Sequence, residues 1–416
     1  MRRKGTFMYK ILFLILLLAQ FAYNLVLKLL SDRQIGKALP ASVADLYDAE
    51  EYARFRRYES KKDRLGLISR IVSLALNIAL FCTDLISVIY YALPGGEIAK
   101  AILFFLIVGA VEAVIGLPFD YVRNFKIEAE FGFNKLTAKT FIADTIKNFI
   151  LGTVLTFVIF MLVFGAYALL GAWFGIAAIA ALGIFMFAVS SLSTVFSKIF
   201  NKFTPLPESK LRDDLCRMFS DAGYKLKDIY VMDASKRTTH ANAYCGGIGK
   251  FKQIVLFDNL VNNYTDEEIT AVFAHELAHF KHKDTTKMTL FNLINFVPMI
   301  ALMAIIMAVP QISASFGFAE PTVLFAFYVG FGGVISIVTN LLMIPFNYIS
   351  RRMERRADTF AQSQGYGEGL ATGLKKLHKD SLSDLNPHPT VVKLTYSHPP
   401  LHERLELVGS LENKEK

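Results

Sequence analysis

Apolar residues along this chain of 416 residues run continuously where soluble proteins alternate them with polar ones. The runs fall at about residues 7–30, 66–93, 98–122, 145–170, 174–200, 287–313 and 321–348. Each is long enough, at a rise of about 1.5 Å per residue, to cross a hydrocarbon layer about 30 Å thick. The fourth and fifth runs meet in "GAYALLGAWFGIAAIAAL", where a glycine-rich turn marks the boundary. Two long stretches, 201–286 and 349–416, break the apolar pattern and are read as one compact domain with the last two spans inserted as a membrane hairpin.

Inside the first of these stretches, "PESKLRDDLCRMFSDAGY" has the period of an amphipathic helix ending at Gly223, followed by a strand through "DIYVMD". "HANAYCGG" and "KQIVLFD" predict two strands joined by a turn from Gly246 to Gly249. Thr265 followed three residues later by Glu268 forms a capping box and starts a helix running to about Lys283. The expected architecture is an α-helical membrane protein with seven transmembrane helices and a small α+β domain. It divides into a membrane region at 1–200 with five spans, a first domain part at 201–286, spans six and seven at 287–348 and a second domain part at 349–416. No repeat is visible and the halves do not mirror each other in hydropathy, which speaks against a transporter built from inverted repeats.

Composition agrees: 53% of residues are hydrophobic, and the mean hydropathy is +0.39, above that of an ordinary soluble domain. The length of the first run and the lack of a small-residue cleavage site predict a retained anchor and not a cleaved signal. The three cysteines are scattered, without CxxC spacing, and receive no role. The net charge of +9 does not form a basic stripe, so no nucleic-acid partner is expected. The cations instead concentrate in the loop after span one (Arg33 to Arg64) and after span three (Arg123 to Lys147). That asymmetry places the first, third and fifth loops and the C-terminal tail in the cytoplasm. The Arg2-Arg3-Lys4 cluster is the one dissenting feature.

Chemistry is confined to the later part of the chain, since all eight histidines lie between 240 and 402. "HELAH" at 275–279 puts His275 and His279 one helical turn apart on one face, spaced to bind one zinc ion. Glu276 stands beside them, displaced around the helix, as a general base. A catalytic zinc needs a third protein ligand. The segment "SRRMERRADTFA" offers Glu354, with Asp358 one turn on to accept a hydrogen bond from a ligand histidine. The alternative for Glu354 is a salt bridge among Arg351, Arg352, Arg355 and Arg356. A transporter carrying an incidental HExxH is the reading from another functional class.

Taken together, "FGFNKLT" at 131–137, "HANAY", "HELAH", "ERRAD" at 354–358 and "SHPPLHERL" at 397–405 resemble the integral-membrane CAAX prenyl endopeptidases of type I, gluzincin-like zinc proteases with seven spans around a large chamber. The resemblance implies His275, His279 and Glu354 as zinc ligands, Glu276 as base, and Asp358 as the partner of a ligand histidine. It also implies His398 as a donor to the oxyanion and Arg404 as its support. Departures at Leu136, Ala278 and Cys245-Gly246 touch no ligand. An extended substrate is expected to pair with residues 241–244, Asn242 anchoring its backbone beside Ala243 and Tyr244. Asp84 and Glu112, inside spans, are expected to face a wet interior or to pair with a neighbouring helix. The expected partners are a peptide or protein, including a prenylated C-terminal tail, and membrane lipid. The expected location is a bacterial cytoplasmic membrane, with the endoplasmic reticulum as alternative and the active site on the cytoplasmic face. A quality-control protease acting on unprenylated membrane proteins is the second enzymatic reading.

Overall fold

A computed structural model describes residues 2–224, 228–246 and 253–412; part of the glycine-rich turn expected at 246–249 lies outside them. Helix α1 spans Arg2–Gln34 and α2 spans Ala49–Cys82, with a capping box at Asp48 and Glu51. The second apolar run breaks at Thr83 and Asp84 and resumes as the short α3, Leu85–Ala92. Asp84 caps this break and pairs with Lys10 of α1 at 2.7 Å, so it is satisfied by a neighbouring helix. Helix α4, Glu97–Tyr121, runs through a wider turn to Glu128.

Helix α5, Ala138–Leu170, ends at Gly171, whose φ of +52° is a conformation glycine adopts without a Cβ clash. The chain reverses there, and α6, Phe174–Ser191, packs back along α5. Helix α7, Ser193–Phe200, leads out of the bundle. The last two apolar runs are also broken. One is divided into α11, Asp284–Asn292, α12, Phe296–Ala308, and α13, Pro310–Ser315. The other comprises α14, Val323–Phe331, and α15, Ser336–Ala361, bent by 51°. At that bend Gly333 has a φ of +86°, and a Cβ on Gly332 would collide with the Tyr328 carbonyl. By length and composition five helical segments among the described residues can cross a membrane, or six if the bent pair is one span; the segment Ala138–Ser191 counts as one of them.

The remaining elements gather at one end of the bundle. Strands β1 (Phe203–Pro205), β2 (Asp228–Met232), β3 (Ala243–Gly246) and β4 (Gln253–Phe257) form a sheet of order β1-β2-β4-β3, parallel only between β2 and β4. Strand β3 is therefore an edge. Helix α8, Lys210–Asp221, covers the sheet through Leu211, Leu215 and Phe219. The short α9, Asp258–Asn263, leads into α10, Asp266–Lys281, which carries the expected capping box at Thr265 and Glu268. Helices α16 (Gly367–Asp380), α17 (Pro389–Thr395) and α18 (Leu401–Glu412) complete this end.

A second core joins Phe55 and Tyr58 of α2, and Phe131 and Phe133 of the "FGFNKLT" segment, to Ala271, Ala274, Leu370 and Leu405. The two cation-rich loops thus lie at the same end of the molecule as the histidine helix. Helix α10 packs between α15 and α16. Gly369 allows the second approach, since a Cβ there would lie 2.9 Å from the Glu267 carbonyl.

Candidate metal centre

Helix α10 presents His275 and His279 on one face, as a separation of four residues requires. Their Nε2 atoms are 3.2 Å apart. From α15, whose apolar N-terminal part crosses the bundle, Glu354 reaches the same point. Its Oε2 lies 3.3 Å from His275 Nε2 and its Oε1 3.3 Å from His279 Nε2. These three residues form the group able to hold a metal ion among the described residues. Oε2 of Glu354 is buried and makes no hydrogen bond, leaving a lone pair aimed where the two ring nitrogens converge. Separations near 3.3 Å are the edges of a tetrahedron whose centre lies roughly 2.0–2.1 Å from each corner, the bond length of zinc to imidazole nitrogen or carboxylate oxygen. The donor set fits such an ion.

Glu354 does not pair with the arginines that flank it. Arg351 donates to the Val392 and Tyr396 carbonyls at 2.9 and 2.5 Å. Arg355 reaches Glu403 at 2.6 Å, and Arg356 reaches Asp284 at 2.6 Å. Each of these three side chains is engaged by another partner, which leaves Glu354 to the histidines. The sequence left this choice open.

Each histidine is held from behind. His275 Nδ1 lies 2.8 Å from Asp358 Oδ1, and Asp358, fully buried, receives two hydrogen bonds from Arg404 at 2.6 and 2.9 Å. His279 Nδ1 lies 3.0 Å from Asp284 Oδ2, and Asp284 is held by Arg356 at 2.6 and 2.7 Å. Donating the Nδ1 proton to an aspartate fixes the tautomer that leaves Nε2 free as a ligand. Burial by itself lowers the His275 pKa, but the Asp358 and Glu354 carboxylates overcome it and raise it to about 9. The His279 pKa is also raised, Glu354 outweighing burial. The group is organised to hold positive charge.

Asp284 and Arg356 were not legible in the sequence as site residues. Lys283, with a φ of 55°, adopts the left-handed conformation and ends the helical phase that would relate Asp284 to His279. A carboxylate five residues past an HExxH motif is the only sequence signal.

A cavity of about 190 Å³ beside the group is lined by His275, Glu276, Glu354, His398, Arg404, Asn242 and Ala243, with Leu260, Val272 and Leu370 among its apolar walls. His398 enters from the segment before α18; its Nε2 lies 3.4 Å from Glu354 Oε1, and its Nδ1 meets Ser397 Oγ at 2.9 Å. Strand alternation turns Tyr244 away from this cavity, and its hydroxyl bonds Ser197 at 3.2 Å. His240 packs on Phe133, ring centres 4.6 Å apart, and lies 3.6 Å from Glu128, a structural position. His282, His388 and His402 are partly exposed and do not line this cavity.

Residues 205–412 match the profile described as peptidase family M48. The chain belongs to that family. As an M48 peptidase it also carries, over residues 28–202, a match to the region described as CAAX prenyl protease N-terminal, five membrane helices. It is similar to the CAAX prenyl protease 1 of Saccharomyces cerevisiae, 28% identical over 96% of this chain and 95% of that one. It is also similar to the CAAX prenyl protease 1 homolog of Oryza sativa subsp. japonica, 31% identical over 91% and 92%. Its fold is that of S. mikatae Ste24p, whose crystal structure superposes with a TM-score of 0.89 at 28% identity and covers 96% of this chain and 99% of that one. This M48 peptidase is a multi-pass membrane metalloendopeptidase acting on peptides or proteins.

Proposed function

We propose that the chain is a single-zinc endopeptidase in which His275, His279 and Glu354 hold the metal and Glu276 is the general base. The observation that carries this reading is the convergence of three ligand atoms on one point, with Glu276 lining the same cavity. When bound, zinc supplies Lewis-acid polarisation of the scissile carbonyl and of the attacking water. Glu276 takes the proton of that water and passes it to the leaving amine. His398 donates from Nε2 to the oxyanion. Asp358 and Asp284 hold the ligand imidazoles, and Arg404 and Arg356 hold the aspartates. An extended substrate pairs with the edge strand β3, with Asn242 and Ala243 along its path.

The arms of the segment that reverses at Gly171, counted separately with the bent pair as one span, bring the span number to seven. The α+β domain is built from 201–286 and 349–416, with 1–200 and 287–348 as the membrane parts. The lysine- and arginine-rich loops at its end of the bundle support a cytoplasmic orientation. A bacterial cytoplasmic membrane and the endoplasmic reticulum both present this end to the cytoplasm, where a prenylated C-terminal tail lying on the bilayer is within reach. Membrane lipid surrounds the bundle.

The test uses wild type and Glu276→Gln, purified in detergent, with bound zinc measured and cleavage of a farnesylated CAAX peptide and an unmodified extended peptide followed. Both proteins holding about one zinc, with only wild type cutting, supports the assignment. Preference for the farnesylated peptide supports tail processing, and indifference to it supports general membrane proteolysis. Absence of zinc, or a mutant as active as wild type, overturns the ligand and base assignments.

A further inference from the structure

Arg70 lies on the part of α2 that crosses the membrane and makes no ion pair or hydrogen bond among the described residues. It opens on a cavity of about 410 Å³ between α1, α2 and the start of α15, whose polar lining includes Gln20, Asn24, Ser69, Asn77 and Ser336 and no carboxylate. Ser73 is also polar, Leu17, Phe21 and Leu74 are apolar, and Gly332 and Gly333 complete the lining. The guanidinium runs back one helical turn, so that a Cβ on Gly66 would lie 4.0 Å from Nη2. That direction leads toward the end of α2 that joins the core beneath the metal centre.

A guanidinium in a membrane span is costly unless it is paired, and among the described residues no anion pairs with it. Polar groups on α1 (Gln20, Asn24) and α2 (Ser69, Arg70, Ser73, Asn77) recur at helical spacing on the faces turned to the cavity, with Leu17, Phe21 and Leu74 interleaved among them. We propose that this cavity is a binding site for one phospholipid, its phosphate taken by Arg70 and its acyl chain laid along Leu17, Phe21 and Leu74. Arginine matches phosphate with paired N–H donors. Basic pockets between membrane helices are suited to lipid headgroups. A soluble anion would gain nothing from the apolar walls. The site is separate from the metal centre: Ser336, on its wall, precedes Glu354 along α15 by a helical length on the order of 27 Å.

The experiment uses the full chain, delipidated in detergent and loaded with zinc, titrated with dioctanoyl phosphatidylglycerol and read by native mass spectrometry. Dioctanoylglycerol, which keeps the chains and lacks the phosphate, and inorganic phosphate are titrated in parallel. Wild type is expected to saturate at one phosphatidylglycerol, with neither control binding. Arg70→Gln is expected to bind it about tenfold more weakly or worse, from the loss of one charge-assisted pair. Arg70→Lys is expected to fall between them. Zinc content and peptide cleavage should be unchanged in both variants, which establishes that they are folded. Equal binding by wild type and Arg70→Gln overturns the proposal and reduces Arg70 to a side chain that reaches bulk headgroups. Binding of dioctanoylglycerol as tight as that of phosphatidylglycerol, or saturation by inorganic phosphate, overturns it too.

Discussion

His275 and His279 come from one motif, and each depends on a carboxylate that this motif does not contain. Removing such a support typically lowers metal affinity by about 10- to 100-fold. Asp284→Ala and Asp358→Ala are each expected to lose zinc to a competing chelator within that range. Asp284→Asn, which still accepts the Nδ1 proton, should retain part of the affinity. Equal chelator resistance of Asp284→Ala and wild type would show that Asp284 serves only Arg356. The proton is a second competitor. Because the His275 pKa is raised to about 9, protons oppose metal at every pH below that value. Apparent zinc affinity should fall by about a factor of ten per pH unit on going from pH 8 to pH 6, measured by chelator competition. An affinity independent of pH over that window would contradict the raised value.

The elements that bring these residues together are joined by backbone contacts and by close approaches that tolerate no added atoms. Arg351, 5% exposed, ties α15 to the Val392 and Tyr396 carbonyls and so positions the segment that delivers His398. Arg351→Ala should keep zinc while losing most peptide cleavage, and should unfold earlier by roughly 1–3 kcal/mol because those carbonyls lose their partner. Gly369 packs α16 on α10, with the Glu267 carbonyl 2.9 Å and the Ala271 Cβ 3.1 Å from where its own Cβ would be. Gly369→Val pushes the two helices apart and should cost about 1–3 kcal/mol in thermal unfolding, with zinc lost as the histidine helix shifts.

On the scale of the whole molecule, the sheet is fastened to the membrane helices by Arg237. It bonds Asp144 of α5 at 2.8 and 3.0 Å and the Phe200 carbonyl at 2.7 Å. Residues 237 to 239 also pair with the "FGFNKLT" segment, Lys135 donating to the Arg237 carbonyl and Thr239 to that of Phe133. Arg237→Ala leaves Asp144 without its cation and should destabilise the protein by about 3 kcal/mol, since both side chains are largely buried. Its effect on cleavage should exceed its effect on zinc content, because β3 moves while α10 and α15 stay packed. Zinc and activity lost in equal proportion would place Arg237 in the general stability of the fold.

The sequence by itself determined what local spacing and composition can carry. Continuous apolar runs specified membrane helices, the four-residue step specified the histidine pair, and the Thr265 and Glu268 box specified where their helix begins. Sequence distance hides the rest. Glu354 versus its arginine neighbours was decided by which face of α15 meets α10, and Asp284 by the left-handed turn at Lys283. Tyr244 was turned from the cavity by strand alternation, and Arg70 was left without a partner among the described residues at a cavity formed by α1, α2 and α15. Periodicity reports which residues share a face. Only packing decides what that face meets, because partners hundreds of residues apart become neighbours through the joint burial of surfaces that no single segment contains.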